Sequence, residues 1–346
     1  MLEIQENVWL APYTTLKVGG PAAFLARPTT QEAVIEALQW AQARSLPVFV
    51  IGGGSNLLVS DRGFPGLVLH MSISGIVSRS EDGKQIYSAG AGVVWDELAA
   101  RAVADDCAGV ECLSGIPGTV GGTPIQNVGA YGQDVAETIH CVRAVDTASG
   151  QPVIFSSSAC EFSYRRSRFN QRDRGRYIIT QVDYGLEPGG PPKLAYADLR
   201  RHFAESQEIP TLAEAREAVL AIRRAKGMVL DENDADSRSA GSFFQNPVVT
   251  RAQYERVAGA SSLPVPHFEA ADGQLKLAAA WLIEQSGIAK GFVLGSVAIS
   301  SKHTLALTNR GGATAADVIL LKEYVQRRVF QRFGIELHPE PVMLGF

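Results

Sequence analysis

Cysteine is scarce in this 346-residue sequence, which has only four, at Cys107, Cys112, Cys141 and Cys160. None forms a CxxC pair and none stands at zinc spacing from a histidine, which excludes a metal knuckle or a disulfide framework. Unpaired thiols suit a reducing compartment, so a cytoplasmic protein with no bound metal is expected. No window reaches about 18 uninterrupted apolar residues, which excludes an ordinary membrane-spanning helix. The N-terminal stretch lacks a basic start followed by an apolar run, so no signal peptide is expected. Basic residues are not in excess: 32 Lys and Arg stand against 36 Asp and Glu, a net charge of -4. That balance argues against a nucleic-acid surface. Internal repeats and low-complexity tracts are also missing.

What the chain has in quantity is glycine, 34 residues of it, beside 17 prolines and an ordinary 46% of hydrophobic residues. Its length allows two or three domains. Two glycine-rich segments stand out. The first, Gly52-Gly53-Gly54-Ser55-Asn56, follows the β-type run Val48-Phe49-Val50-Ile51. Glycine lets the backbone turn sharply and bring its N–H groups close to a bulky anion, and Ser55 and Asn56 add short polar side chains at the same corner. The pattern is neither GxGxxG nor a phosphate loop ending in GK[ST]. A plain tight loop is the competing reading. The second segment runs from Ser114-Gly115-Ile116-Pro117-Gly118 to Gly129-Ala130-Tyr131-Gly132 and is denser in glycine than a surface turn needs.

Around these loops the pattern predicts a small β/α unit first. A helix is expected to about Arg44, with Thr29 and Glu32 at capping-box spacing and Val34, Ile35, Leu38 and Ala41 on one face. Short strands dominate from Ser72 to about Gly185, interrupted by a helix Trp95–Ala104. A helical segment Leu212–Arg224 follows, then an acidic linker Asp231–Ser239. The last part is expected to hold a helix Leu275–Gln285, strands near Val297 and Thr304, a long amphipathic helix Ala313–Phe333 and a strand-like tail.

The two glycine segments together resemble the flavin-binding fold of the vanillyl-alcohol-oxidase/para-cresol-methylhydroxylase type. More specifically, the chain resembles the UDP-N-acetylenolpyruvoylglucosamine reductase family of bacterial peptidoglycan synthesis, in its subtype with a tyrosine loop. The matching pieces are Thr14-Thr15-Leu16-Lys17-Val18-Gly19-Gly20, the two glycine segments, Tyr164-Arg165-Arg166-Ser167, Tyr196-Ala197-Asp198-Leu199, Gly241-Ser242-Phe243-Phe244-Gln245-Asn246-Pro247 and Glu340. They occur in the family's order along nearly the whole chain. One departure is Gln245, which stands where many relatives carry lysine.

The resemblance implies an α+β flavoprotein with a separate α+β substrate-binding domain. We expect FAD-binding subdomains at 1–67 and 68–225, the second joined by the tail 335–346, and a substrate-binding domain at 226–334. It also implies a reaction: NADPH gives a hydride to FAD, the hydride passes to C3 of an enolpyruvyl ether, and C2 collects a proton. FAD contacts are implied for Gly52, Gly53, Gly54, Ser55, Asn56, Ile116, Pro117, Gly118, Gly122, Thr123, Ile125 and Ile179. The loop Gly52 to Asn56 has no histidine, so noncovalent FAD is expected.

Three residues match the family's catalytic positions. Ser242 would be the proton donor, with Gly241 permitting a close approach and the two phenylalanines anchoring the turn. Standing alone it could equally be a helix cap or a turn serine. Arg165 would stabilise negative charge on the substrate carboxylate. Its competing reading is a solvated charge in the run Arg165, Arg166, Arg168, Arg172, Arg174. Glu340 would orient the site or assist protonation, held stiffly between Pro339 and Pro341. Tyr131, Tyr196, Arg223, Lys226, Asn246 and Gln285 match the substrate contacts, with Arg223 and Lys226 on one helix face if the helix persists. His303 reads as structural. The expected protein is a monomer that meets only small molecules. The rival readings are a non-catalytic flavin- or UDP-sugar-binding relative, which would have lost one catalytic residue, and a flavin oxidase, which would tether its flavin.

Overall fold

The computed structural model describes residues 2–205 and 208–346. It divides into two compact units, one made of Met1–Val8, Ala22–Gly53 and Phe64–Ala225, the other of Trp9–Pro21, Gly54–Gly63 and Lys226–Phe346. Among the described residues no helix is long and apolar enough to cross a membrane.

The first unit has two large sheets beside a short hairpin of Gly129–Ala130 with Gln133–Asp134. One has the strand order Ile4–Trp9, Pro21–Ala26, Phe64–His70, Val48–Ile51, and the last three strands run parallel. The crossover between Pro21–Ala26 and Val48–Ile51 is helix α1 (Gln31–Gln42), which buries Val34, Ala37, Leu38 and Ala41. Its cap is Thr30, whose hydroxyl accepts from the Ala33 N–H at 3.1 Å. The expected cap, Thr29, lies one residue too early, because the first helical residue is Gln31.

The other sheet is antiparallel, in the order Pro152–Ser156, Ile139–Asp146, Tyr177–Pro188, Lys84–Gly90, Ile76–Glu81. Helix α2 (Trp95–Ala104) packs Trp95 against Tyr184 of the long central strand, the rings tilted with centroids 5.6 Å apart. The Trp95 indole N–H donates to the Leu113 carbonyl at 2.9 Å, so this anchor also holds the approach to the second glycine segment. Two helices complete the unit, α3 (Ala197–His202) and α4 (Leu212–Ala225). The sequence reading missed α3, which is barely two turns long. A shared face for Arg223 and Lys226 requires α4 to persist to Lys226. The helix stops at Ala225 and Gly227 turns left-handed at φ +65°, so the shared-face expectation fails.

The second unit carries α5 (Arg251–Gly259), α6 (Ala279–Gln285) and α7 (Ala315–Phe333). Helix α5 escaped notice because Val257 is its only buried residue. The expected helix from Leu275 begins instead at Ala279. Leu275–Leu277 is a strand between Val248–Val249 and His267–Glu269. A Thr314/Asp317 capping box starts α7, and Gly334 ends it at φ +66°. The acidic stretch is a staple rather than a linker. Asp234 pairs with Lys302 at 2.8 Å, and Asp236 takes Ser301 and Arg310. The tail strand Val342–Leu344 pairs in parallel with Leu57–Val59 inside this second unit, not with the residues of 68–225.

Candidate active site

Each unit holds its own share of the expected site. In the first, the two glycine segments meet. A Cβ at Gly53 would lie 2.7 Å from the Gly118 Cα, and one at Gly52 would collide with the Thr119 hydroxyl oxygen. Only glycine permits this approach. The N–H groups of Gly53 and Gly118 donate to none of the described residues. Paired glycine loops with unspent N–H groups are a fit for a dinucleotide pyrophosphate. Thr123 is fixed by the fully buried Tyr184 hydroxyl at 2.6 Å, and that phenol is pushed well above its ordinary pKa by burial. Ile125 is 37% exposed, while Ile179 is buried in the central strand opposite Ala144.

Arg165 sits at the tip of a tight turn in which Ser163 and Arg166 exchange both backbone hydrogen bonds at 3.0 Å. Its φ is +56°, a left-handed conformation uncommon for arginine. The guanidinium donates to the Gly129 carbonyl at 2.8 Å and to the Asn127 carbonyl at 3.5 Å. Asn127 in turn donates to the Ser163 carbonyl at 3.2 Å. Asn127 and Tyr131 are themselves left-handed, at φ +46° and +50°. The turn bearing Arg165 and the glycine segment bearing Tyr131 are thus locked to one another.

Tyr131 is 9% exposed and meets the Tyr196 ring edge-on at 5.2 Å. Arg223, on α4, is equally buried. Burial lowers its pKa, against the opposing pull of the Tyr131 hydroxyl and Asp96. The structure therefore brings Tyr131, Tyr196 and Arg223 together in one unit. Two residues that carry no motif support them. Glu111 is fully buried and accepts from the N–H of Gly109, the amide of Gln133 and the N–H of Lys193, tying the Tyr131 hairpin to the segment leading to Tyr196. Its only sequence signal is an acid inside the apolar run Val110-Glu111-Cys112-Leu113. Asp96 accepts from the Gly115 N–H at 2.6 Å and from Arg216 at 2.7 and 2.8 Å. Burial alone would raise its carboxyl. The Arg216 fork, the Gly115 N–H and the Arg223 charge outweigh that and hold it below the usual range.

In the second unit the backbone of Phe243–Gln245 runs antiparallel to 338–340. Glu340 N–H donates to the Phe243 carbonyl at 2.9 Å and Gln245 N–H to the His338 carbonyl at 3.0 Å. This register sets Phe243 opposite Glu340, with Ser242 one residue earlier on the same segment. Both phenylalanines are buried, at 0% and 1% exposure, as turn anchors should be. No helix follows Ser242, so it is not a helix cap. Gly241 is needed for its φ of +70° rather than for a close approach, since a Cβ there would meet nothing within 4 Å. Asn56 extends the same strip: its amide donates to the Glu340 carbonyl at 3.5 Å and its carbonyl accepts from Val342 N–H at 3.0 Å.

Asn246 accepts from the Ala279 N–H at 2.9 Å and so caps α6, which Gln285 ends. Asn246 thus meets the first residue of α6 from outside the helix, about 10 Å along the axis from Gln285. Lys226 is half-buried and close enough to His303 to lower its pKa to about 4, together with burial, the larger cause, and Lys290.

This fold, with its paired glycine loops, defines a flavin-binding oxidoreductase. A profile described as an FAD binding domain matches residues 22–156, and one described as the C-terminal domain of UDP-N-acetylenolpyruvoylglucosamine reductase matches 233–344. The reductase of Thermobifida fusca is 45% identical over 350 aligned positions, covering 98% of this chain and 97% of that protein. The reductase of Streptomyces coelicolor is 46% identical over 97% of this chain and 89% of its own length. The crystal structure of the Thermus caldophilus reductase aligns over 99% of this chain and 100% of its own at a TM-score of 0.67 and 25% identity. The chain belongs to the UDP-N-acetylenolpyruvoylglucosamine reductase family.

Proposed function

We propose that this chain reduces the enolpyruvyl ether of UDP-N-acetylglucosamine enolpyruvate to the lactyl ether of UDP-N-acetylmuramate, with NADPH as reductant. The observation that supports this reading is the antiparallel pairing of Phe243–Gln245 with 338–340, by which the segments bearing Ser242 and Glu340 run side by side. Gly52 to Asn56, the Ile116–Gly118 turn, Gly122, Thr123, Ile125 and Ile179 would hold FAD noncovalently, and the bound flavin would supply the hydride relay from NADPH to C3.

The chain's own residues supply position, charge and a proton. Ser242 gives its hydroxyl proton to C2. The hydroxyl is a weak acid, and it makes no hydrogen bond to any other described residue. Glu340, with its backbone clamped by Phe243 and Asn56, orients the site. Arg165 offsets charge building on the substrate carboxylate. Its two carbonyl partners fix the plane of the guanidinium, so little reorganisation is needed. Tyr131, Tyr196, Arg223, Lys226, Asn246 and Gln285 hold the nucleotide. We read the enzyme as a monomer and as cytoplasmic, the second reading supported by four unpaired cysteines.

The test is an anaerobic two-step experiment with Ser242→Ala. NADPH should still bleach the bound flavin at the wild-type rate. Return of the yellow colour on adding the enolpyruvyl nucleotide should slow by about 100-fold or more, the loss of a general acid. Recovery at the wild-type rate would remove Ser242 from the reaction.

A further inference from the structure

We infer that Asp96 is a positioning residue that sets two things at once: the turn that faces the cofactor and the helix that carries Arg223. The inference rests on the reductase reading above. Asp96 lies in the first turn of α2. Its two carboxylate oxygens meet three N–H donors. Oδ1 takes Gly115 N–H at 2.6 Å and an Arg216 N–H at 2.7 Å, and Oδ2 takes the other arm of Arg216 at 2.8 Å. Gly115 opens the Gly115–Gly118 turn at φ +69°, and Gly118 is the residue pressed against Gly53.

Arg216 stands seven residues before Arg223 on α4. At about 100° per residue, seven steps return to within about 20° of the same face. A bidentate pair at Arg216 therefore fixes the rotation of the face that presents Arg223 to Tyr131. The pair is sheltered, with Arg216 only 14% exposed, so solvent screens it less than a surface pair. A carboxylate is required because no neutral side chain of this size offers acceptors to a guanidinium fork and a backbone N–H together.

Three variants separate the two roles. Arg216→Met keeps the Gly115 bond but frees α4. It should raise the KM for the enolpyruvyl nucleotide by about tenfold, the loss of a charge-assisted contact, while FAD affinity of the apoprotein stays within about twofold. Asp96→Ala loses both bonds and should weaken FAD as well, again by about tenfold. The exchanged pair Asp96→Arg with Arg216→Asp should recover the nucleotide KM but not FAD affinity, because a guanidinium cannot accept the Gly115 N–H. FAD affinity is read from quenching of flavin fluorescence. If Asp96→Ala collapses, Asp96→Asn, whose carbonyl can still take Gly115, should behave like Arg216→Met. Equal shifts of both constants in Arg216→Met, or no shift of either in Asp96→Ala, would overturn the inference. Failure of the reductase reading is distinct: wild-type protein would then not couple NADPH oxidation to the nucleotide, while the FAD titration would still report on Asp96.

Discussion

Gly53→Ala tests the cofactor cradle at its narrowest point. The added Cβ would lie 2.7 Å from the Gly118 Cα, 3.2 Å from its carbonyl carbon and 3.3 Å from its nitrogen. Ordinary contact begins near 3.4 Å, so the closest approach is short by about 0.7 Å. Every obstacle is backbone, so no side chain can swing aside. Gly53 is not left-handed, which makes the cost one of space rather than of conformation. Forcing the segments apart should cost about 1–3 kcal/mol, as overpacking elsewhere does. The displaced N–H groups would also lose their aim at a charged ligand, and one such bond is worth about 1.5–3 kcal/mol. The first cost appears as a lower melting point, and the second predicts FAD affinity weakened by roughly 10- to 100-fold. The assay is titration of apoprotein with FAD, followed by flavin fluorescence, beside a thermal melt. Gly259→Ala serves as the control: it ends α5, and its Cβ would meet nothing within 4 Å, so FAD affinity should not move. A Gly53→Ala protein that binds FAD within about twofold of wild type and melts with it would refute the cradle.

Two further outcomes follow from the second unit. His303 is held near a pKa of about 4 by burial first and by Lys226 and Lys290 next, with Glu284 opposing. The folded value lies below the ordinary 6.5, so the unfolded chain binds the extra proton between these pH values. Its stabilising share is full above pH 6.5, falls through the window and is gone below about 4, a swing of up to about 3 kcal/mol. His303→Gln should flatten the fall of urea-unfolding stability between about pH 7 and 4, and a slope equal to wild type would remove His303 as its source. Asn246→Ala should lose the α6 cap and about 1 kcal/mol, a drop of roughly 2–4 °C in Tm. Asn246→Asp keeps the acceptor but loses both amide donors, so its melting point should return while the nucleotide KM stays raised. A low melting point in Asn246→Asp would show that the cap is not what Asn246 contributes.

The parts of the fold that local chemistry decides could be read directly. The strand into Gly52, helix α2 and the long helix α7 each announce themselves by period or by a terminal residue, such as Gly334. The start of α6 could not be read, because Leu275–Leu277 becomes a strand only by pairing with segments distant in sequence. The arginine run shows the same limit within the site. By composition Arg165, Arg166, Arg168, Arg172 and Arg174 look alike. In the structure Arg168 closes on Asp173 at 2.7 Å beneath the Phe155 ring, and Arg172 pairs with Glu161 at 2.7 Å, while Arg165 turns to the carbonyls of the glycine segment. What separates it from its neighbours is backbone conformation, not residue type. An arginine at φ +56° costs about 1–2 kcal/mol, and Tyr131 bears a similar cost at φ +50°. Neither turn would hold that conformation alone. Each is kept by hydrogen bonds from the other side of the lock, Arg165 to Gly129 and Asn127 to Ser163. Strain carried jointly by two segments more than thirty residues apart leaves no trace in either one's sequence. It is nonetheless what fixes the aim of the guanidinium, so a relaxed Arg165 turn would keep the charge and lose its placement.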